Sequence, residues 1–414
     1  MHICLISPGH LSTNPRLVKE ARSLRGAGYR VSIVCGAYLE SGTAADQDLA
    51  AELAPVYPVR FGPRIASKAI YLRQGLARLG ARWAVRVGLN SAALIEIAQH
   101  PAARDLQRTA ARIPADLYVA HYVAALPAAA RAARKHGGKF SFDAEDFHLG
   151  DLPDEPTHEF EKGLINSIEA RYLPGAAHIT AASPMIAQAY CETYEIALPA
   201  TVLNAFPGAS GPASPSTRGT IEPGPGLYWF SQTIGPGRGL EAAVAAIAIA
   251  QSQPHLYLRG TADPRFATDL FAQAARLGVG SRVHILPTLH PDALERGGTA
   301  FDLGYCGELA NSRNHAMALS NKLFSYLTSG LPVVASDIPS HCAVAAQLGD
   351  AVSLFESGDP ASLAAAIDRC LADPAGLAAR RRYAWELGQG QFSWERQEGV
   401  LLALVSASSA EEAR

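Results

Sequence analysis

The chain of 414 residues is too long for one ordinary domain and suits two of about 150 to 200 residues, each able to bury its own core. Its 36 Lys and Arg balance 38 Asp and Glu, a formal net charge of -2, which speaks against a nucleic-acid binder and against an acidic solvating chain. Six scattered cysteines without a CxxC pair speak against a disulfide framework or a zinc site and leave buried free thiols in a reducing cytoplasm.

Strand and helix patterns alternate from the first residue. "HICLIS" reads as a buried strand, with neither the charged leader nor the cleavage site of a signal peptide. Nowhere does an apolar run approach the roughly 18 residues of a membrane span. A soluble, cytoplasmic protein is expected, at most a visitor to the inner face of a membrane. After the loop "PGHLST", Asn14 as N-cap and Pro15 at the first helical position open a helix with Leu17, Ala21 and Leu24 on one face. Gly26 or Gly28 ends it, and "YRVSIVCG" is the next strand. Such a βαβ unit implies a parallel sheet with helices on both faces. Further strands are expected at 117–122, 139–145, 178–183 and 200–205, with Ala-rich helices between them.

"FPGASGPASPSTRGTIEPGPG", 206–226, has the Pro, Gly and Ser density of a linker, and the domain boundary is placed there. Two domains result, 1–210 and 225–390, with a last helix at about 392–414 returning to the first. Beyond the boundary come "GLYWFSQ", a loop "TIGPGRG", the helix "LEAAVAAIAIAQ", and strands "HLYLRG", "RVHILP", "FDLGYC", "LPVVAS" and "AVSLF". The expected fold class is α/β, two doubly wound Rossmann-like parallel-sheet domains facing a central cleft.

Open α/β sheets bind ligands beyond the carboxyl ends of their strands. "SQTIGPGRG", 231–239, follows a strand and opens a helix; its glycines allow close backbone approach, and Arg238 offers a fork for phosphate oxygens. A plain tight turn would also account for it. "SNKLF" puts Ser320, Asn321 and Lys322 at a helix N-terminus, where free N–H groups and a cation favour phosphate, or simply form a capped helix with a surface lysine. Together the two loops suit the two phosphates of a nucleotide sugar, whose leaving group gains negative charge as it departs. No acidic pair of the DxD type lies near these glycines, which fits a metal-free mechanism with no cofactor beyond the donor itself.

The whole chain resembles a GT-B glycosyltransferase of the family 4 type, the "glycosyltransferase group 1" of retaining enzymes that use nucleotide-diphosphate sugars. The resemblance is carried by "LISPGHLSTNPRLVKEARSLRGAGYRV", "ADLYVAHYVAALPAAARAARKHGGKFSFDAED", "FSQTIGPGRGLEAAVAAI", "SNKLFSYLTSGLPVVASDIP" and "FSWERQ". It implies that Gly9, with His10 and Asn14, sits by the diphosphate, and that His121 is a catalytic residue orienting the sugar, with Asp143 and Glu145 nearby. Arg238 and Lys322 would stabilise the leaving diphosphate, helped by Gln232, Gly237, Ser320, Asn321, Leu323 and Ser325. Arg259 and Pro287 would border the nucleobase. Departures from the family pattern are as informative. Ser325 stands where a ribose-binding glutamate is common, and Met317 lies eight residues before it at the other acidic position. Gln232 replaces a common arginine, and Glu145–Asp146 replaces a His-Glu pair. Serine can still hydrogen-bond a hydroxyl, so altered donor recognition is the implied consequence.

Arg78, Arg82 and Arg86 recur beside Leu79, Trp83 and Val87, with Lys68 and Arg73 upstream. Over 68–88 this predicts either a solvated helix face or a basic amphipathic helix resting on anionic lipid, natural for a lipid-linked acceptor. The expected activity is metal-independent, retaining transfer of a hexosyl-type sugar from a nucleotide-diphosphate sugar to a hydroxyl of a glycan, lipid-linked or small-molecule acceptor. A nucleotide-sugar epimerase on the same fold and a non-catalytic binding protein are the alternatives. A dinucleotide oxidoreductase would need GxGxxG after the first strand, and "SPGHLSTN" lacks it.

Overall fold

The computed structural model describes residues 1–290 and 293–410. The chain divides into two compact units, Met1–Val202 together with the chain from Glu398 on, and Leu203–Gln397.

The first unit holds seven parallel strands: β1 (His2–Ile6), β2 (Arg30–Ala37), β3 (Val56–Arg60), β4 (Leu117–His121), β5 (Lys139–Ala144), β6 (Ile179–Ala181) and β7 (Ala200–Thr201). Their order is β3-β2-β1-β4-β5-β6-β7. Central strands β1 and β4 are buried at every residue, as expected of a sheet covered on both faces. Sequence reading passed over β3, whose Pro58 looks wrong for a strand. It lies at the sheet edge, where a missing N–H costs no ladder bond, and only Val59 is buried. At the other edge β7 has two residues, fewer than the 200–205 run suggests.

The first helix, Pro15–Gly26, begins as its sequence demands: Asn14 Oδ1 accepts from the N–H of Leu17 at 2.9 Å, and Pro15 opens the turn. Its inner face packs Leu17, Ala21 and Leu24 with Ile3, Leu5, Ile33 and Val119. The final helix, Trp394–Ala410, contributes Val405 to that core, and the backbone carbonyl of Ser408 accepts from Lys139 Nζ at 2.9 Å.

The second unit holds six parallel strands: β8 (Gly226–Ile234), β9 (His255–Ala262), β10 (Val283–Leu286), β11 (Leu303–Cys306), β12 (Val333–Ser336) and β13 (Val352–Phe355). Their order is β10-β9-β8-β11-β12-β13. β8 runs past "GLYWFSQ" and, through an irregularity between Phe230 and Thr233, reaches Ile234, so Thr233 and Ile234 lie in the strand and not in the loop.

The stretch 206–226, read from composition as the linker, lies inside the second unit. Side chains from far along the chain take up its backbone groups: Gln389 donates to Gly208 O at 2.9 Å, Trp385 to Pro212 O at 3.0 Å and Arg381 to Ser216 O at 2.9 Å. Asp302 accepts from the N–H groups of Gly219 and Gly226, both at 2.8 Å. Proline and glycine density reveals that a segment makes no strand or helix; it does not reveal which distant side chains satisfy its backbone.

Candidate functional site

In each sheet the strand order reverses beside the first strand, at β1 and β4 in one unit and at β8 and β11 in the other. Loops leaving such a reversal diverge and open a crevice at the carboxyl edge of the sheet.

In the first unit the polar residues near that edge are turned inward. His10 is fully buried; its Nε2 accepts from the N–H groups of Tyr38 and Leu39, both at 3.1 Å, which leaves Nδ1 to donate to Asp46 at 2.8 Å. Asn14 is spent on its capping bond. His121, at the end of β4, is 1% exposed, with Nε2 2.9 Å from Glu20 and Nδ1 3.3 Å from Asp143. Asp143 in turn receives a two-pronged grip from Arg16, Nε and Nη2 each at 2.7 Å, and a hydroxyl from Thr180 at 2.6 Å. Burial alone would lower the pKa of His121, but Asp143 and Glu20 overcome it and raise it to about 9. Burial likewise opposes ionisation of Asp143, and Arg16 with His121 drives its pKa well below the usual carboxylate range. The four groups alternate in sign, and the contact of His121 Nε2 with Glu20 is an ion pair without hydrogen-bond geometry.

Two residues of this region stay nearer solvent. Gly9 donates its N–H to Ser7 Oγ at 3.0 Å. Glu145 is half-buried, with its pKa raised chiefly by burial, and accepts from Tyr122 Oη at 3.4 Å. Tyr122 follows β4 with φ 68° and ψ 156°, a backbone state that is normally glycine's.

In the second unit the carboxyl edge has the opposite character. Arg238 is exposed and makes no hydrogen bond or ion pair among the described residues. Its loop is locked at the next residue: Gly239 has φ +70°, and a Cβ there would lie 2.2 Å from Gly307 O, so only glycine fits. Tyr305 Oη donates to Gly239 O at 2.7 Å. Thus the loop after β8 is pinned to the end of β11 and lies against the first residue of the loop that follows it. That second loop carries Glu308, which pairs with Lys322 Nζ at 2.7 Å. Lys322 also lies 5.7 Å from the centroid of the buried Trp229 ring. Burial opposes ionisation of Glu308, but Lys322 and then His341 pull its pKa down to about 2.

Lys322 belongs to the helix Asn321–Ser329, where Ser320 is the N-cap and makes no side-chain capping bond. Asn321 is exposed and Leu323 is buried in the core. Arg259 and Pro287 are brought together, with Arg259 Nη1 donating to Pro287 O at 2.6 Å and Nε to Tyr228 Oη at 2.9 Å. Gln232 and Gly237 are exposed on the same strand and loop as Arg238. Ser325 is 1% exposed and its Oγ donates to Glu295 at 3.0 Å, so this hydroxyl is committed inside the unit instead of facing a ligand.

Sequence reasoning missed Glu308, Trp229 and Glu295 here, and Arg16 and Glu20 in the first unit. Only the last two left a usable trace. They sit four apart on the helix face that also carries Leu17, Ala21 and Leu24, and a charge on a buried face demands a partner. Among the described residues no group of three or more His, Cys, Asp and Glu side chains is arranged to hold a metal ion, and no helix is long and apolar enough to cross a membrane. The six cysteines are free; Cys4, Cys35, Cys306 and Cys370 are buried, Cys191 is half-buried and Cys342 is exposed.

Two parallel sheets that each reverse beside their first strand, with a basic glycine loop at the second reversal, are the architecture of GT-B glycosyltransferases. Residues 13–202 match the model of the glycosyl transferase 4-like domain and 227–373 that of glycosyl transferases group 1. The chain belongs to this glycosyltransferase family. Among solved structures, HepE of Anabaena in complex with UDP aligns with a TM-score of 0.71 at 18% identity, over 98% of this chain and 100% of that one. The complex of HepE with UDP-glucose aligns with a TM-score of 0.70 over the same shares, also at 18% identity. Sucrose-phosphate synthase of Thermosynechococcus elongatus aligns with a TM-score of 0.70 at 16% identity, over 99% of this chain and 100% of that one. No curated protein matches the sequence significantly.

Proposed function

We propose that the protein is a retaining, metal-independent glycosyltransferase that moves a hexosyl group from a nucleotide-diphosphate sugar to a hydroxyl acceptor. The donor's diphosphate is held at the carboxyl edge of the second sheet. One observation carries this reading: Arg238 is exposed and unpartnered among the described residues, on a glycine loop pinned to β11, whose following loop presents Glu308 to Lys322. Two cations and a helix N-terminus on adjoining loops suit an anion with two phosphates. The UDP and UDP-glucose complexes of HepE are consistent with a uridine donor.

In the reaction the bond from the anomeric carbon to the diphosphate oxygen breaks, and the acceptor oxygen bonds to the same face of the sugar. The acceptor's proton passes to the departing diphosphate. Arg238 and Lys322 neutralise the charge that grows on the leaving group, while the His121 network holds β4 and β5 in register and leaves sugar contact to exposed neighbours. Metal independence is checked by turnover in excess chelator, and retention by the anomeric coupling of the product. The acceptor is a glycan, a lipid-linked precursor or a small molecule.

Thermal-shift screening against UDP, GDP, ADP and TDP sugars tests the donor reading, because a ligand that binds the native state stabilises it by linkage. A shift with one donor that disappears in Arg238→Ala supports it. Absence of any shift, with hydrolysis and transfer both undetectable, would leave the family's fold without its activity.

A further inference from the structure

The helix Lys68–Arg86 turns its large apolar side chains away from the protein. Leu72, Leu76, Leu79 and Trp83 are 58%, 68%, 65% and 64% exposed, and their spacing of four, three and four residues sets them in one stripe. Its inner face is made of smaller groups: Ala81 is buried, and Ala77 and Val85 pack with it against Ile97 and Leu164. Val87 and Leu89, just past the helix end, continue the exposed surface.

The arginines on which sequence reading based a lipid contact are mostly occupied elsewhere. Arg78 Nε donates to Ala98 O at 3.2 Å, Arg82 grips Glu161, and Arg86 lies 4.3 Å from the centroid of the Phe160 ring. Arg73 pairs with Asp105. Arg60, Arg64 and Lys68 remain exposed at the start of the helix, with no acidic partner among the described residues. From residue 53 to residue 95 the sequence contains no Asp or Glu, and seven Lys and Arg.

We infer that this stripe docks on an anionic bilayer surface, with Leu72, Leu76, Leu79 and Trp83 entering the headgroup boundary and Arg60, Arg64 and Lys68 facing lipid phosphates. An exposed apolar patch this continuous marks an interaction surface. Its acid-free, cationic border selects the occupant, since a second copy of the chain would bring like charges to the same border, whereas anionic lipid complements it. The inference goes beyond sugar transfer and is read without donor or acceptor, so its failure leaves the transfer reading untouched.

Co-sedimentation of the full chain with vesicles of phosphatidylcholine containing about one-quarter phosphatidylglycerol tests it. The wild type is expected to bind these vesicles and to bind pure phosphatidylcholine vesicles far less. Trp83 emission should shift to the blue on binding; Trp229 and Trp394 are buried, and Trp385 donates its ring N–H to Pro212 O, so they stay silent. Leu76→Gln combined with Leu79→Gln should lower partitioning about tenfold while leaving the circular dichroism unchanged, because both side chains are already in water. Equal partitioning of this variant and the wild type would overturn the inference, as would a wild type that stays in the supernatant. A wild-type dimer that the double substitution converts to monomer would assign the stripe to a second copy instead.

Discussion

The carboxyl edges of the two sheets are built alike and charged differently. In the first unit Arg16, Asp143, His121 and Glu20 are all buried, and every charge touches one of opposite sign. In the second, among the described residues, Arg238 stands exposed without a partner and Lys322 is matched by a single carboxylate, Glu308. Such a network of buried opposite charges as the first stabilises one arrangement of the backbone. A network short of one anion has capacity for one, and on this difference the proposed phosphate site rests.

This contrast is sharpest under substitution. Asp143→Asn leaves Arg16 and His121 buried without their common carboxylate, so unfolding in urea should show a loss of about 3–5 kcal/mol, the cost of breaking a buried pair from one side. Arg238→Ala should behave in the opposite way. Its side chain is exposed, so stability should hold, while turnover falls by about two to three powers of ten, the scale for losing a preorganised charge at a leaving group. If Asp143→Asn left stability intact, or Arg238→Ala lowered it, the division into a scaffold network and a ligand network would be wrong.

Most of the second site's basic half was legible in sequence because its elements are local. A glycine loop with one arginine, and a polar helix start with one lysine, each lie within a few consecutive residues. Glu308 was illegible since its partner is fourteen positions away, on the far side of two short segments. The partners in the first network were illegible for a related reason. "LYVAHY" shows a histidine at a strand end, but the sequence does not show that Arg16 and Glu20, more than 100 residues earlier, turn toward it. Parallel sheets bring together residues that lie far apart in the chain, so strand identity survives in the local pattern while side-chain partnership does not. Ser325 is a further case: its position in a family motif suggested a ligand contact, and its burial against Glu295 supplies a structural role.

The pH dependence of stability distinguishes the same two networks. His121 has its pKa raised from 6.5 to about 9, so its contribution is complete below about pH 6.5 and disappears as pH rises through 9. The shift corresponds to about 3 kcal/mol. Unfolding midpoints in urea should therefore fall between about pH 6.5 and 9.5, and His121→Gln should remove most of that slope. On the acid side Asp143, with a depressed pKa, loses its contribution as pH drops below 3.8, as does Glu308 between 4.5 and about 2. A wild-type midpoint that is flat across the alkaline window would mean that His121 is neutral in the fold and adds no positive charge to the first network.

Glu308 bears the smallest expected effect and the most direct comparison. Without a ligand its carboxylate is the anion beside Lys322, in the place a donor phosphate would claim. Burial raises the energetic cost of that carboxylate, and Lys322 offsets it, so an incoming diphosphate has to compete for the same cation. Glu308→Gln removes the competitor while keeping the shape. Nucleoside diphosphate affinity, measured by titration calorimetry, should rise about tenfold, equivalent to about 1.4 kcal/mol. Weaker binding would show that Glu308 positions Lys322 for the ligand just as Glu20 and Asp143 fix His121. The two carboxyl edges would then share the device of carboxylates that fix a cationic side chain, and the exposed Arg238 would remain the difference between them.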